Sequence, residues 1–81
     1  MTAIEEQIIN IITKELRMKP GVVTLASNFR EDLGVDSLDA LEIVVALEDY
    51  YKLELPTTTH ENIITVQDAV NAVLELSLIH I

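Results

Sequence analysis

Four times in this chain a Thr or Asn stands three residues ahead of a Glu or Asp: Thr2 with Glu5, Asn28 with Glu31, Thr58 with Glu61, and Thr65 with Asp68. At that spacing a side-chain oxygen can accept the third N–H of a helix while the acid reaches back, so each pair predicts a helix or turn start. Behind Thr2, residues Ile4, Ile8, Ile11, Ile12 and Leu16 recur at helical spacing. Glu5 and Glu6 complement the positive end of the helix dipole, and Lys14 and Arg17 the negative end. Lys19-Pro20-Gly21 predicts the stop.

A second helix is predicted from Asp36 or Ser37 to about Tyr51. At about 100° per residue, Ala40, Ile43, Val44, Leu47 and Tyr51 share one side, while Leu38, Leu41 and Val45 lie roughly opposite, among Glu42, Glu48 and Asp49. The first group reads as core and the second as an apolar patch fenced by carboxylates. Pro56 breaks the chain, after which Thr58 and Glu61 predict a short third helix ending near Ile63 and Ile64. Thr65 and Asp68 open a last helix whose apolar face is Val66, Ala69, Val70, Val73 and Leu74.

Between Pro20 and Asp36 no period is sustained, yet Val22, Val23, Leu25, Phe29, Leu33 and Val35 would cover an apolar surface. This is the pattern of a long loop packed across a bundle, a length uncommon unless the loop has a role. Within it a short turn is expected at Asn28, with Glu31 as its partner. Leu53-Glu54-Leu55 alternates like a strand but has no second strand to pair with. The expected fold is an all-α four-helix bundle of three longer helices and one short one. A long loop joins the first two helices, and residues 1–81 form a single domain.

Hydrophobic residues make up 49% of the chain and aromatics only 4%, so that core must be built from Ile, Leu, Val and Ala. Five Lys and Arg against fourteen Asp and Glu give a formal charge of -9, which argues against nucleic acid or an anionic membrane as direct partner. Basic protein surfaces are the expected partners. The absence of Cys excludes disulfides, thiolate metal sites and a Cys nucleophile. Glu5 and Glu6 stand where a secretory leader would be basic, and no apolar run approaches a membrane span, so a cytoplasmic monomer is expected. His60 and His80 have no metal-site spacing and there is no EF-hand loop, so no metal is expected.

The segment Asp32-Leu33-Gly34-Val35-Asp36-Ser37-Leu38-Asp39 carries the chemistry, because a glycine-containing loop delivers a serine to the start of a helix. Gly34 allows a tight approach. Free N–H groups at the helix start can then stabilise a phosphate ester on the Ser37 hydroxyl. The plainer reading is that Asp36 or Ser37 only caps the helix.

This segment resembles the acyl carrier protein family, whose Asp-Ser-Leu signature matches Asp36-Ser37-Leu38 behind Asp32-Leu33-Gly34. The likeness continues through Glu42-Ile43-Val44-Val45-Ala46-Leu47-Glu48-Asp49, Leu55-Pro56, Ile63 and Thr65-Val66-Gln67-Asp68-Ala69-Val70. It implies that Ser37 carries 4'-phosphopantetheine, placed from coenzyme A by a phosphopantetheinyl transferase. The arm's thiol would hold acyl intermediates for fatty acid, polyketide or related lipid biosynthesis, and the bundle could shelter the chain. The resemblance also implies docking to basic patches of acyl-transferring and condensing enzymes. That role falls on Asp36, Asp39, Glu42, Glu48 and Asp49, with Leu38, Leu41 and Val45 between them. The chain departs from the common fatty-acid pattern at Thr57-Thr58-Thr59-His60, at Val45 and at the apolar end Leu76 to Ile81.

Two other functions compete with a carrier. A regulatory interaction module would use the second helix without needing Ser37, and a peptidyl or aminoacyl carrier would share the serine. An enzyme is not expected, since no base accompanies Ser37 in sequence and so short a chain leaves no room for a cleft. No catalytic residue is assigned.

Overall fold

A computed structural model describes residues 1–79, without the side chains of residues 58, 59, 78 and 79. The first helix, α1 (Ala3–Glu15), opens on the expected reciprocal cap: Glu5 N–H donates to Thr2 Oγ1 at 3.3 Å, and Thr2 N–H to Glu5 Oε1 at 2.7 Å. Ile8 and Ile12 are fully buried, with Ile4, Ile11 and Leu16 half-buried beside them. The helix stops before Lys19-Pro20-Gly21, so the expected stop signal is not the operative one. Arg17 takes a left-handed φ of 54°, its N–H donates to the Lys14 carbonyl at 3.1 Å, and the Met18 N–H donates to the Thr13 carbonyl at 3.0 Å. These paired bonds satisfy the last carbonyls and turn the chain out of the helix.

A side chain at that position carries a steric penalty that glycine avoids. Arg17→Gly is therefore expected to stabilise the fold by up to about 1 kcal/mol, seen as a higher Tm in thermal unfolding. A Tm that is unchanged or lower would show that the Arg17 side chain contributes more than its backbone strain costs.

The loop from α1 to α2 (Ser37–Tyr51) is held from both sides. Val23, Phe29, Leu33 and Val35 are buried and Leu25 is half-buried, but Val22 is 50% exposed and does not cover the core as expected. Its place is just past the Lys19–Gly21 turn, before the loop reaches the bundle. The Asn28 turn forms with half of the expected box: Glu31 supplies its N–H, but the carboxylate that returns to Asn28 is that of Asp32. Asn28 Oδ1 accepts the N–H groups of Arg30 and Glu31, both at 3.0 Å, while Asp32 Oδ2 accepts the Asn28 N–H at 2.7 Å. The turn is one residue wider than a helix cap, which brings Asp32 rather than Glu31 back to Asn28. Main-chain bonds then tie the loop to the last connection: Phe29 N–H to the Ile64 carbonyl, Val66 N–H to Ser27 and Gln67 N–H to Leu25. They satisfy backbone groups that a packed loop would otherwise leave unpaired.

Helix α2 buries Ile43, Val44 and Leu47. Tyr51 is half-buried and donates its hydroxyl to Gln7 Oε1 on α1 at 3.1 Å. Ala40 is exposed, against expectation, because it stands on the wall of an open cleft. Helix α3 (Thr57–Asn62) starts with Pro56 in the capping position and no side-chain cap, so Thr58 is its second residue and the Thr58–Glu61 box does not open it. The fixed proline φ of −58° with an extended ψ sets the start instead.

Helix α4 (Val66–Ile79) is capped as expected: Asp68 N–H donates to Thr65 Oγ1 at 3.2 Å, and Asp68 Oδ2 accepts the N–H groups of Thr65 and Ile64 at 3.0 Å. Val66, Ala69, Val70 and Val73 are buried. Leu74 is 40% exposed, because the helix turns Ala72 and Leu76 inward and carries Leu74 to the edge of the buried face. α1 packs against both α2 and α4. His80, Ile81 and the side chains of Leu78 and Ile79 lie outside the described residues.

The Thr65 and Ile64 N–H groups hold the Asp68 carboxyl below the ordinary aspartate range. A lowered folded value means that the stabilisation is complete above the unfolded value and is lost as pH falls through the folded one. Asp68→Ala is expected to cost about 1 kcal/mol near neutral pH, the net worth of such bonds. The Tm difference from the unmutated chain should close as the solution is acidified below the carboxylate range. A difference that persists unchanged in acid would assign the effect to helix propensity.

Candidate functional site

The approach to Ser37 is built by two buried side chains and one glycine. Leu33 and Val35 are buried, the Leu33 N–H donates to the Asn28 carbonyl, and the Val35 N–H to the Phe29 carbonyl at 2.8 Å. Between them Gly34 has φ +65°, while a Cβ there would meet nothing within 4 Å. Glycine is thus favoured by the left-handed turn and not, as expected, by a close approach.

Asp36 then caps α2. The Asp39 N–H donates to its Oδ1 at 2.8 Å, and the Asp36 N–H donates to Asp39 Oδ2 at 3.4 Å. Ser37 is the first residue of the helix, is exposed, and its hydroxyl has no hydrogen bond to any described residue. Because capping falls to Asp36, Ser37 has no structural task. The Ser37 and Leu38 N–H groups, first in the helix, have no carbonyl one turn back.

Beside Ser37 opens a cleft of about 680 Å³ between α2, α3 and the loop. Phe29, Val44, Leu47 and Ile63 give it an apolar floor, and Ser37 and Ala40 stand on its α2 wall. The sequence reading leaves no room for a cleft, and the structure corrects this, since loop and short helix stand apart from α2 instead of closing over it. The small Ala40 on an otherwise bulky inner face is the one signal of it in the sequence. His60, Glu61 and Arg30 also line the cleft and are missed by sequence reasoning.

On the outer side of α2, Leu38 is 62% exposed and Leu41 and Val45 are each 54% exposed, with Leu41 also lining the cleft. Asp36, Glu42 and Asp49 are exposed around them, and Asp39 is half-buried by its capping bond. Glu48 differs from these carboxylates. It is half-buried, and its Oε2 accepts the Leu55 N–H at 2.8 Å. Among the described residues no three His, Cys, Asp or Glu are grouped to hold a metal ion, and no helix is long and apolar enough to cross a membrane.

The phosphopantetheine attachment site family matches residues 6–73. An acyl carrier protein from Campylobacter concisus is 38% identical over 74 residues, which span 91% of this chain and 96% of that protein. The chain belongs to the acyl carrier protein family. A solved structure assigned as an acyl carrier protein from Mycobacterium tuberculosis superposes with a TM-score of 0.84 at 33% identity, covering 89% of this chain and 96% of that one. The all-α bundle is therefore the fold of an acyl carrier, and its cofactor is 4'-phosphopantetheine. Acyl carrier proteins work with phosphopantetheinyl transferases and acyl-handling enzymes and are as a rule not catalysts themselves. An exposed hydroxyl without a partner at a helix start, next to an apolar cleft, is a fitting place for such a group.

Proposed function

We propose that Ser37 is the covalent attachment point and that residues 1–81 act as one monomeric, non-catalytic carrier domain in the cytoplasm. The observation that carries the assignment is that Ser37 is exposed and unbonded while its neighbour Asp36 caps the helix. The other serines are less suited. Ser27 is buried, with its Oγ accepting the Thr24 N–H at 2.9 Å, and Ser77 is half-buried on α4.

In the loading step the Ser37 oxygen forms a bond to a phosphorus of coenzyme A, the nucleotide half leaves, and the hydroxyl proton passes to a base of the transferase. The free N–H groups of Ser37 and Leu38 favour the resulting phosphodiester. When bound, 4'-phosphopantetheine supplies a terminal thiol that holds acyl groups as thioesters. The apolar cleft beside Ser37 offers the acyl chain shelter from water, with a gain that grows with the area buried. Fatty acid, polyketide and related lipid biosynthesis are the fitting pathways. Incubation with coenzyme A, Mg²⁺ and a broad-specificity transferase should add the mass of one phosphopantetheine. Protein that stays unmodified would favour an interaction module.

The outer face of α2 is the proposed docking surface: Leu38, Leu41 and Val45 are exposed among Asp36, Asp39, Glu42 and Asp49. Glu48 is a lesser member, since a partner must compete with Leu55 for its carboxylate. Reversing Glu42 and Asp49 to Lys should lower the transferase kcat/KM by about tenfold or more, with most of the loss in association and at low salt. Helix content should stay unchanged by circular dichroism. Unaltered kinetics would place the docking face elsewhere.

A further inference from the structure

Both backbone polar groups of Leu55 are taken by side chains from different helices. Glu48 of α2 accepts the Leu55 N–H through Oε2 at 2.8 Å, and His60 of α3 donates from Nε2 to the Leu55 carbonyl at 2.7 Å. A carbonyl only accepts, so Nε2 carries the ring proton.

These bonds matter because α3 is short. It is six residues long and has no side-chain cap. Its end bonds are long, at 3.2 Å from His60 N–H to the Pro56 carbonyl and 3.4 Å from Ile63 N–H to the His60 carbonyl. So short a helix depends on tertiary contacts to persist. His60 and Glu61 of α3, with Ile63 just past its end, line one side of the cleft, while Ser37 and Leu47 line it from α2. The clamp on Leu55 therefore joins the two walls.

We propose that His60, anchored through Leu55 to Glu48, is a positioning residue that fixes the α3 wall and so limits the length of acyl chain the cleft accepts. The inference rests on the reading of the cleft as shelter for a chain carried on Ser37. A chain short enough for the fixed wall buries each of its methylenes and stabilises the fold by each. A longer one must push α3 outward and break the bonds to Leu55 before its last carbons are covered. Without the clamp the wall yields more easily, and the preference moves to longer chains.

The test uses the full chain, loaded by a broad-specificity transferase from butyryl-, octanoyl- or dodecanoyl-coenzyme A, with loading verified by intact mass. In the unmutated protein the rise in Tm over the unacylated carrier should be larger with octanoyl than with dodecanoyl. In His60→Ala the dodecanoyl form should equal or exceed the octanoyl form, and His60→Gln, which keeps a donor, should restore the original order. His60→Phe keeps a ring without the donor and should behave like His60→Ala, which also serves if the alanine variant folds poorly. The same order in all four proteins would overturn the proposal. If Ser37 cannot be loaded, the attachment reading falls on its own, and the clamp is judged in the unmodified protein by amide exchange. Exchange at Ile63 should then quicken by about tenfold or more in His60→Ala and return in His60→Gln. Equal exchange rates would show that His60 does not hold α3.

Discussion

Ser37→Ala is expected to abolish addition of phosphopantetheine while leaving the fold intact. The modification needs an oxygen nucleophile at that position, so its loss is complete and not graded. The stability half of the prediction follows from geometry: Asp36, not Ser37, accepts the Asp39 N–H, and no described residue bonds to the Ser37 hydroxyl. Removing an exposed, unbonded hydroxyl at the first helical position should change stability by less than about 0.5 kcal/mol. Intact mass after incubation with coenzyme A and transferase reads the first half, and thermal unfolding the second. Modification that survives in the alanine variant would mean another residue is used. A large drop in Tm would mean that Ser37 has a structural task after all.

Leu47→Ala is expected to have the largest effect on stability. Leu47 is 1% exposed at the meeting of α2 with the core, and removing its branched end leaves a void that close-packed neighbours fill only in part. Such changes cost about 2–5 kcal/mol, a large share of the total for a small domain. On the same helix, Leu41→Ala should stay within about 0.5 kcal/mol, because Leu41 is already more than half exposed. Equilibrium denaturation of the pair compares the two faces directly. Equal losses would mean that the outer face is packed in solution, as by self-association.

The helices themselves were legible from short-range signals. Thr2 with Glu5 and Thr65 with Asp68 are each joined by bonds spanning three residues, so the pairs that form them can be read directly from spacing. The same holds for the two faces of α2, where a constant turn per residue separates Leu47 from Leu41. The family was legible because the neighbours of Ser37 spell a signature, and the family match over residues 6–73 agrees with that resemblance. The local rule misled where another local feature came first. Pro56 capped α3 two residues ahead of Thr58, and a left-handed Arg17 ended α1 ahead of Pro20.

By itself the sequence determined the four helices, their apolar stripes, the acidic outer face and the serine at the head of α2. Each of these depends on residues within a few positions of one another. Only the tertiary structure decided that Asp36 frees Ser37 from capping, that a cleft opens along Ala40, that α4 turns Leu74 outward, and that Glu48 and His60 meet on Leu55. Apart from the choice of cap, these features depend on how each helix rotates against its neighbours and on how far the loop and α3 stand from α2. That balance is set by packing between segments distant in sequence, which no local period records.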